Sequence, residues 1–178
     1  MKVIAGAVFV VGALVIFAVA GLGLVNPSTQ NHDFLRLHIR ANSNSDADQA
    51  VKYLVKQQIV NELTPIFVDV VNRAQAMHAL DANLTRIENI ANKVLSENGF
   101  IYRAVADIRS EFFPTRAYMD LTLPSGIYDA LIITLGAGEG DNWWCVIYPP
   151  LCFLENNIGG EAGVRYRSRL LDLIRGMS

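Results

Sequence analysis

The stretch LRLHIRANSNSDADQ, residues 35–49, decides how the rest of the chain is read. Its first half alternates, with Leu35, Leu37 and Ile39 set against Arg36, His38 and Arg40, the period-two pattern of a strand with one apolar face. It then stops at a cluster of Asn, Ser and Asp. Either the cluster opens a helix, or His38, Asn42, Ser43 and Asp46 form a small polar site. Ser45 is a natural N-cap, its hydroxyl able to accept from a free backbone N–H, with Asp46 and Asp48 in the first turn opposing the helix dipole. A catalytic trio needs a base held against an activated nucleophile. Here His38 stands in the strand while Ser43 and Asp46 lie beyond it, so capping is the expectation and no catalytic residue is assigned. His38 is expected on an exposed strand or interface face. It is not expected to bind metal, because His32 and His78 supply no ligand spacing.

Downstream, three helical stripes follow. The first carries Ala47, Ala50, Val51, Leu54, Val55, Ile59 and Leu63, with Lys52, Lys56 and Gln57 pointing away. Thr64-Pro65 reads as a second helix start and Asp81 as the cap of a third, which closes at Asn98-Gly99. The period then returns to two over Tyr102 to Arg109, Tyr118 to Leu123, Ile127 to Leu135 and Trp143 to Tyr148. The expected fold is α+β, a mostly antiparallel sheet with about three helices packed on one face.

The ends differ in composition from the middle. Val3 to Val25 contains no charged residue and follows a single Lys2, the layout of a signal peptide or transmembrane anchor over residues 1–25. Ala18-Val19-Ala20 offers a cleavage pattern and the run is also long enough to span, so both fit. Residues 26–33 read as a linker, 34–154 as one domain, and 155–178 as a tail in which Arg165, Arg167, Arg169 and Arg175 interleave with leucines in a short basic helix. The chain has 15 Lys and Arg against 17 Asp and Glu, a formal charge of −2, which excludes the strongly basic balance of a nucleic-acid binder.

Cys145 and Cys152 bracket Val-Ile-Tyr-Pro-Pro-Leu; an exported chain permits their disulfide, and two free thiols fit as well. Gly136-x-Gly138-x-Gly140 looks like a phosphate loop but runs into Trp143 and Trp144 rather than opening a helix, so a hairpin loop is expected. Glu111, Asp120 and Asp129 are scattered and form no glycosidase pair. What remains is recognition surface: Trp143, Trp144 and Tyr148 beside Pro149 and Pro150, an aromatic and stiff corner with interface composition, joined by His38, Asn42, Ser43 and Asp46 as a further polar edge.

Three stretches carry a resemblance to a family. RLHIRANSNSDADQA at 36–50, FFPTRAYMDLTLPSGIYDAL at 112–131 and GEGDNWWCVIYPPLCF at 138–153 closely resemble, in this order, stage II sporulation protein R of endospore-forming bacteria. Met119 departs from the family's glycine and Ile132 from its usual arginine, while 51–98 matches only in pattern. The resemblance implies a signalling protein without cofactor, exported from the forespore to the intermembrane space. Its implied partner is a membrane-embedded aspartic protease, stage II sporulation protein GA, which processes pro-sigma-E in the mother cell. Membrane contact would come through the N-terminal segment. The rival class is an exported cell-envelope hydrolase using His38 or Asp120.

Overall fold

The computed structural model describes residues 33–118, 121–150 and 152. The expected signal or anchor segment, nearly all of the linker and the basic tail lie outside the described residues, and no described helix is long and apolar enough to cross a membrane. The elements run β1 (Leu35–Arg40), α1 (Asp46–Phe67), α2 (Arg73–Glu97), β2 (Ala104–Phe113), β3 (Arg116–Tyr118), β4 (Leu121–Leu123), β5 (Gly126–Leu135) and β6 (Asn142–Tyr148). The class is α+β.

Two helices stand where three were expected. Thr64-Pro65 does not open a helix; it sits in the last turn of α1, where Pro65 forfeits a single i→i−4 bond and Thr64 Oγ1 donates back to the Val60 carbonyl at 2.7 Å. The break comes after Phe67, and Asn72 starts α2. Its Oδ1 accepts from Gln75 N at 2.9 Å while Gln75 Oε1 accepts from Val71 N at 3.0 Å, a reciprocal cap that leaves Asp81 inside the helix. The far end matches expectation: Gly99 has φ 79°, and Phe100 N donates to the Leu95 carbonyl at 3.0 Å.

The main sheet has the order β2-β5-β1-β6, with β1 parallel to β5 and the other two pairings antiparallel. It is therefore mixed. Leu35, Leu37 and Ile39 of β1 face the helices and pack with Val55, Ile59 and Leu63 of α1 and Leu80, Ile87 and Ala91 of α2. Each such side chain, fully buried, contributes about 1.5–3 kcal/mol.

The opposite face is covered too. Where one strand was expected over Tyr118–Leu123 the chain doubles back into the hairpin β3-β4, which among the described residues pairs only with itself, and its Leu123, Tyr118 and Leu121 pack on a second core made by Phe113, Tyr128, Ala130, Ile132 and Val146. This layer corrects the expectation that His38 lies on an exposed strand or interface face. Arg36 is 0% and His38 1% exposed, because the central strand is covered on both sides. The helical stripe shifts as well: Lys52 is buried at 1% and Leu54 exposed at 47%, since α1 turns Asp48, Lys52, Val55 and Ile59 inward.

Candidate functional site: the strand–helix junction and the edge of the sheet

The Asn-Ser-Asp cluster is a cap and also a clamp. Ser45 Oγ accepts from Asp48 N at 3.2 Å, closing the start of α1 as the sequence implied. The buried Asp48 carboxylate then gathers three donors: Ser43 Oγ at 2.5 Å, Asn42 Nδ2 at 2.9 Å and Tyr102 Oη at 2.5 Å. Burial pushes this carboxyl up, but the bonds from Ser43, Tyr102 and Asn42 outweigh it and hold Asp48 below the usual carboxylate value. Across from it, the glycine-rich loop closes down on the same residues. Ala137 N donates to Asn42 Oδ1 at 2.9 Å, Asp141 N to Asn44 Oδ1 at 2.6 Å, and Gly140 N to the Ala41 carbonyl at 2.9 Å. Gly136 and Gly140 serve this loop-on-loop contact, since a Cβ at either would meet Asn42 or Ser43; the segment is not the hairpin loop expected, because β1 lies between β5 and β6. Asp46 stays exposed in the first turn of the helix.

On the hairpin side of β1 two buried polar residues stand side by side. The Arg36 guanidinium lies 4.4 Å from the Phe113 ring, 4.8 Å from Tyr128 and 5.4 Å from Tyr118, a cage of π faces. Its Nε donates to the Cys145 carbonyl at 3.1 Å and one Nη to Tyr118 Oη at 2.7 Å. His38 stacks on Trp144 with centroids 3.6 Å apart and meets Glu111 through Nδ1 at 2.8 Å; Glu111 also takes Arg40 at 2.5 Å. Burial holds His38 below its ordinary value near 6.5, against the upward pull of Asn142 and Glu111.

The sign of the resulting pH dependence follows. Below about pH 6.5 the unfolded chain binds a proton that folded His38 refuses, so stability is full above that pH and falls as pH drops toward the lowered folded value. Thermal melts at pH 7.5 and 5.5 are expected to show a lower Tm at the acid pH, about 2–4 °C for each ~1 kcal/mol lost. A His38→Gln variant is expected to lose that slope; an unchanged slope would assign it elsewhere.

The residues picked out as a recognition surface do not form one patch. Trp143 and Trp144 are neighbours in sequence on opposite faces: Trp143 packs toward the helices, Trp144 toward the hairpin. Both are half-buried. Because β6 runs antiparallel to β1, its start lies beside the Asn42–Ser43 junction, whereas Tyr148, Pro149 and Pro150 lie at the far end, roughly 20 Å along a seven-residue strand. Those three are buried, and Tyr148 Oη donates to the Val71 carbonyl at 3.1 Å. Cys145 and Cys152 are disulfide-bonded, with Cα atoms 5.8 Å apart.

Residues that sequence reasoning passed over matter more at this edge. Lys52, read as solvent-facing, donates to Gln49 Oε1 at 2.6 Å and to the Asp141 carbonyl at 2.9 Å. The signal was present: Lys52 falls four residues after Asp48 and three before Val55, on their helical face. Arg116 of β3 lies 5.9 Å from the Trp144 ring. Among the described residues no group of three or more His, Cys, Asp and Glu could hold a metal ion.

Fold and site define a disulfide-closed α+β domain whose junction polar groups hold two loops together and whose exposed edge gathers aromatic and cationic side chains. The chain belongs to the stage II sporulation protein R family. The family model described as stage II sporulation protein R (spore_II_R) matches residues 31–158. A relative, stage II sporulation protein R of Bacillus subtilis (strain 168), is 38% identical over 128 residues, 72% of this chain and 57% of that protein. The chain thus spans under two thirds of that relative's length. No solved structure matches.

Proposed function

We propose that this chain is an exported signal of endospore formation that acts from the forespore side to activate a membrane-embedded aspartic protease, stage II sporulation protein GA. That protease then removes the pro-peptide from pro-sigma-E in the mother cell. Family membership is the observation that carries this reading. The apolar run from Val3 to Val25 supports export, and the Cys145–Cys152 disulfide fits an oxidising compartment.

The side chains that a hydrolase would recruit have other partners. Asn42, Ser43 and Asp48 bond one another, and His38 is held by Glu111 beneath the hairpin. Asp120, the other residue of the hydrolase reading, lies outside the described residues. In this reading the chain acts by binding, and activation is a population shift in its partner driven by differential affinity for the active state.

The test is complementation. Expressed in a sporulating cell lacking its own signal, the chain is expected to restore removal of the pro-sigma-E pro-peptide on a blot. Confirmed export without processing would overturn the reading. Release of soluble fragments from cell-wall material by the purified chain, lost in His38→Ala, would favour the hydrolase instead.

A further inference from the structure

Beyond the last strand of the main sheet lies an open hollow of about 380 Å³. Its walls come from three layers: Gln49, Lys52 and Tyr53 of α1, Asn142 and Trp144 of β6, and Arg116 of the hairpin. It therefore wraps round the edge of β6 from the helix face to the hairpin face. Among the described residues β6 pairs only with β1, so its outer edge has no strand neighbour. Cys145 to Tyr148 are buried, whereas Asn142 is exposed and Trp143 and Trp144 half-buried, which confines the accessible edge to the first three residues of β6.

The charges around this edge are unbalanced. The Lys52 ammonium is buried, and its two bonds go to neutral oxygens, Gln49 Oε1 and the Asp141 carbonyl. No carboxylate among the described residues lies within ion-pair distance of Lys52 or of Arg116. An ammonium has three donors, and with two of them on neutral oxygens Lys52 keeps a free donor and a charge that the Tyr53 ring 4.9 Å away and the more distant Asp141 carboxylate offset only in part. A carboxylate answers both. The opposing charge in the lining is the exposed Asp141 at the rim.

We propose that this hollow receives an extended acidic segment of a protein partner, laid along Asn142–Trp144 with two carboxylates held by Lys52 and Arg116. This deepens the function proposed above and rests on it, the segment being the receptor's. Strand geometry selects a peptide over a free anion. Successive side chains of an added strand point to opposite faces, so adjacent acidic residues reach Lys52 on the helix face and Arg116 on the hairpin face at once. Trp144 and Tyr53 supply flat contact area on either side.

The probe is an acetylated, amidated hexapeptide Val-Thr-Glu-Glu-Thr-Val, titrated into the full chain in a mild non-ionic detergent while the two indole N–H resonances are followed. Saturable movement of the Trp144 signal is expected. Lys52→Met should weaken binding by ~10-fold or more, as loss of a buried charge partner does, and the exposed Arg116→Gln by about threefold. Asp141→Asn should tighten it. A still Trp144 signal, or equal binding of the Gln-Gln peptide, overturns the proposal. If Lys52→Met does not fold, the opposite shifts of Arg116→Gln and Asp141→Asn decide. Complementation separates this inference from the one beneath it. Wild type that fails to restore processing sinks the signalling reading, while wild type and the Lys52→Met, Arg116→Gln double variant restoring it equally sinks only the docking site.

Discussion

Asp48→Ala is expected to destabilise the domain by about 2–4 kcal/mol, because it strands three donors at once. Ser43 Oγ, Asn42 Nδ2 and Tyr102 Oη all converge on the Asp48 carboxylate, and Tyr102 ties the start of α1 to the segment that leads into β2. Urea unfolding measures it as a lower midpoint at unchanged slope. The neighbouring Asp46→Ala, exposed and acting only on the helix dipole, should lose about 0.3–1 kcal/mol. The pH dependence has a fixed sign: the Asp48 carboxyl is held below its usual 3.8, so its contribution is present above that pH and is lost as pH falls through the folded value. An Asp48→Ala midpoint no lower than that of Asp46→Ala would show that the clamp does not hold the junction.

Gly140→Ala is expected to be at least as damaging, about 3 kcal/mol or more. A Cβ there would sit 2.2 Å from the Ser43 carbonyl oxygen, a backbone atom with no rotamer to escape into. Relief means lifting the loop, which breaks the bonds from Gly140 N to Ala41 and from Glu139 N to Asn42. Gly99→Ala is the control. Its Cβ meets nothing within 4 Å, so only the left-handed backbone at φ 79° resists, at about 1–2 kcal/mol. Thermal melts of the two variants should rank Gly140→Ala well below Gly99→Ala; the reverse order would mean that the loop is free to move.

These residues also mark where sequence reading stopped. Ser45 as a cap and Asn98-Gly99 as a helix end were legible because capping is local chemistry, a side chain meeting backbone within a few residues. Thr64-Pro65 misled for the same local reason: proline is favoured in the first turn of a helix, but it also survives near the end of one already packed, and α1 is held there by Leu63 and Phe67 in the core. The Asn72–Gln75 cap was equally visible in sequence and was masked by the stronger proline signal.

The site was less legible than the fold. Alternation alone predicts an exposed strand or interface face for His38, and the apolar stripe of α1 predicts that Lys52 points away from the core. The expectation for His38 fails because a second layer covers the polar face of β1, and no local pattern announces that a short hairpin some 75 residues later will fold back on it; the expectation for Lys52 fails because α1 turns the face carrying Asp48, Lys52 and Val55 inward. The apparent recognition corner divided because adjacent strand residues point to opposite faces.

By itself the sequence determined the elements that local chemistry dictates: the first strand, the capped helix after it, the glycine-terminated helix end, the strands over Ile127–Leu135 and Trp143–Tyr148 and the α+β class, whereas the single strand expected over Tyr118–Leu123 is a hairpin of two short ones. It also carried the family. Tertiary structure alone decided that β1 is a central strand pairing parallel with β5, that Arg36 and His38 are interior, and that Lys52, Arg116 and Trp144 meet at one edge. Periodicity records which side chains share a face, but what covers that face depends on contacts between residues far apart in the chain, and such contacts leave no period in the sequence.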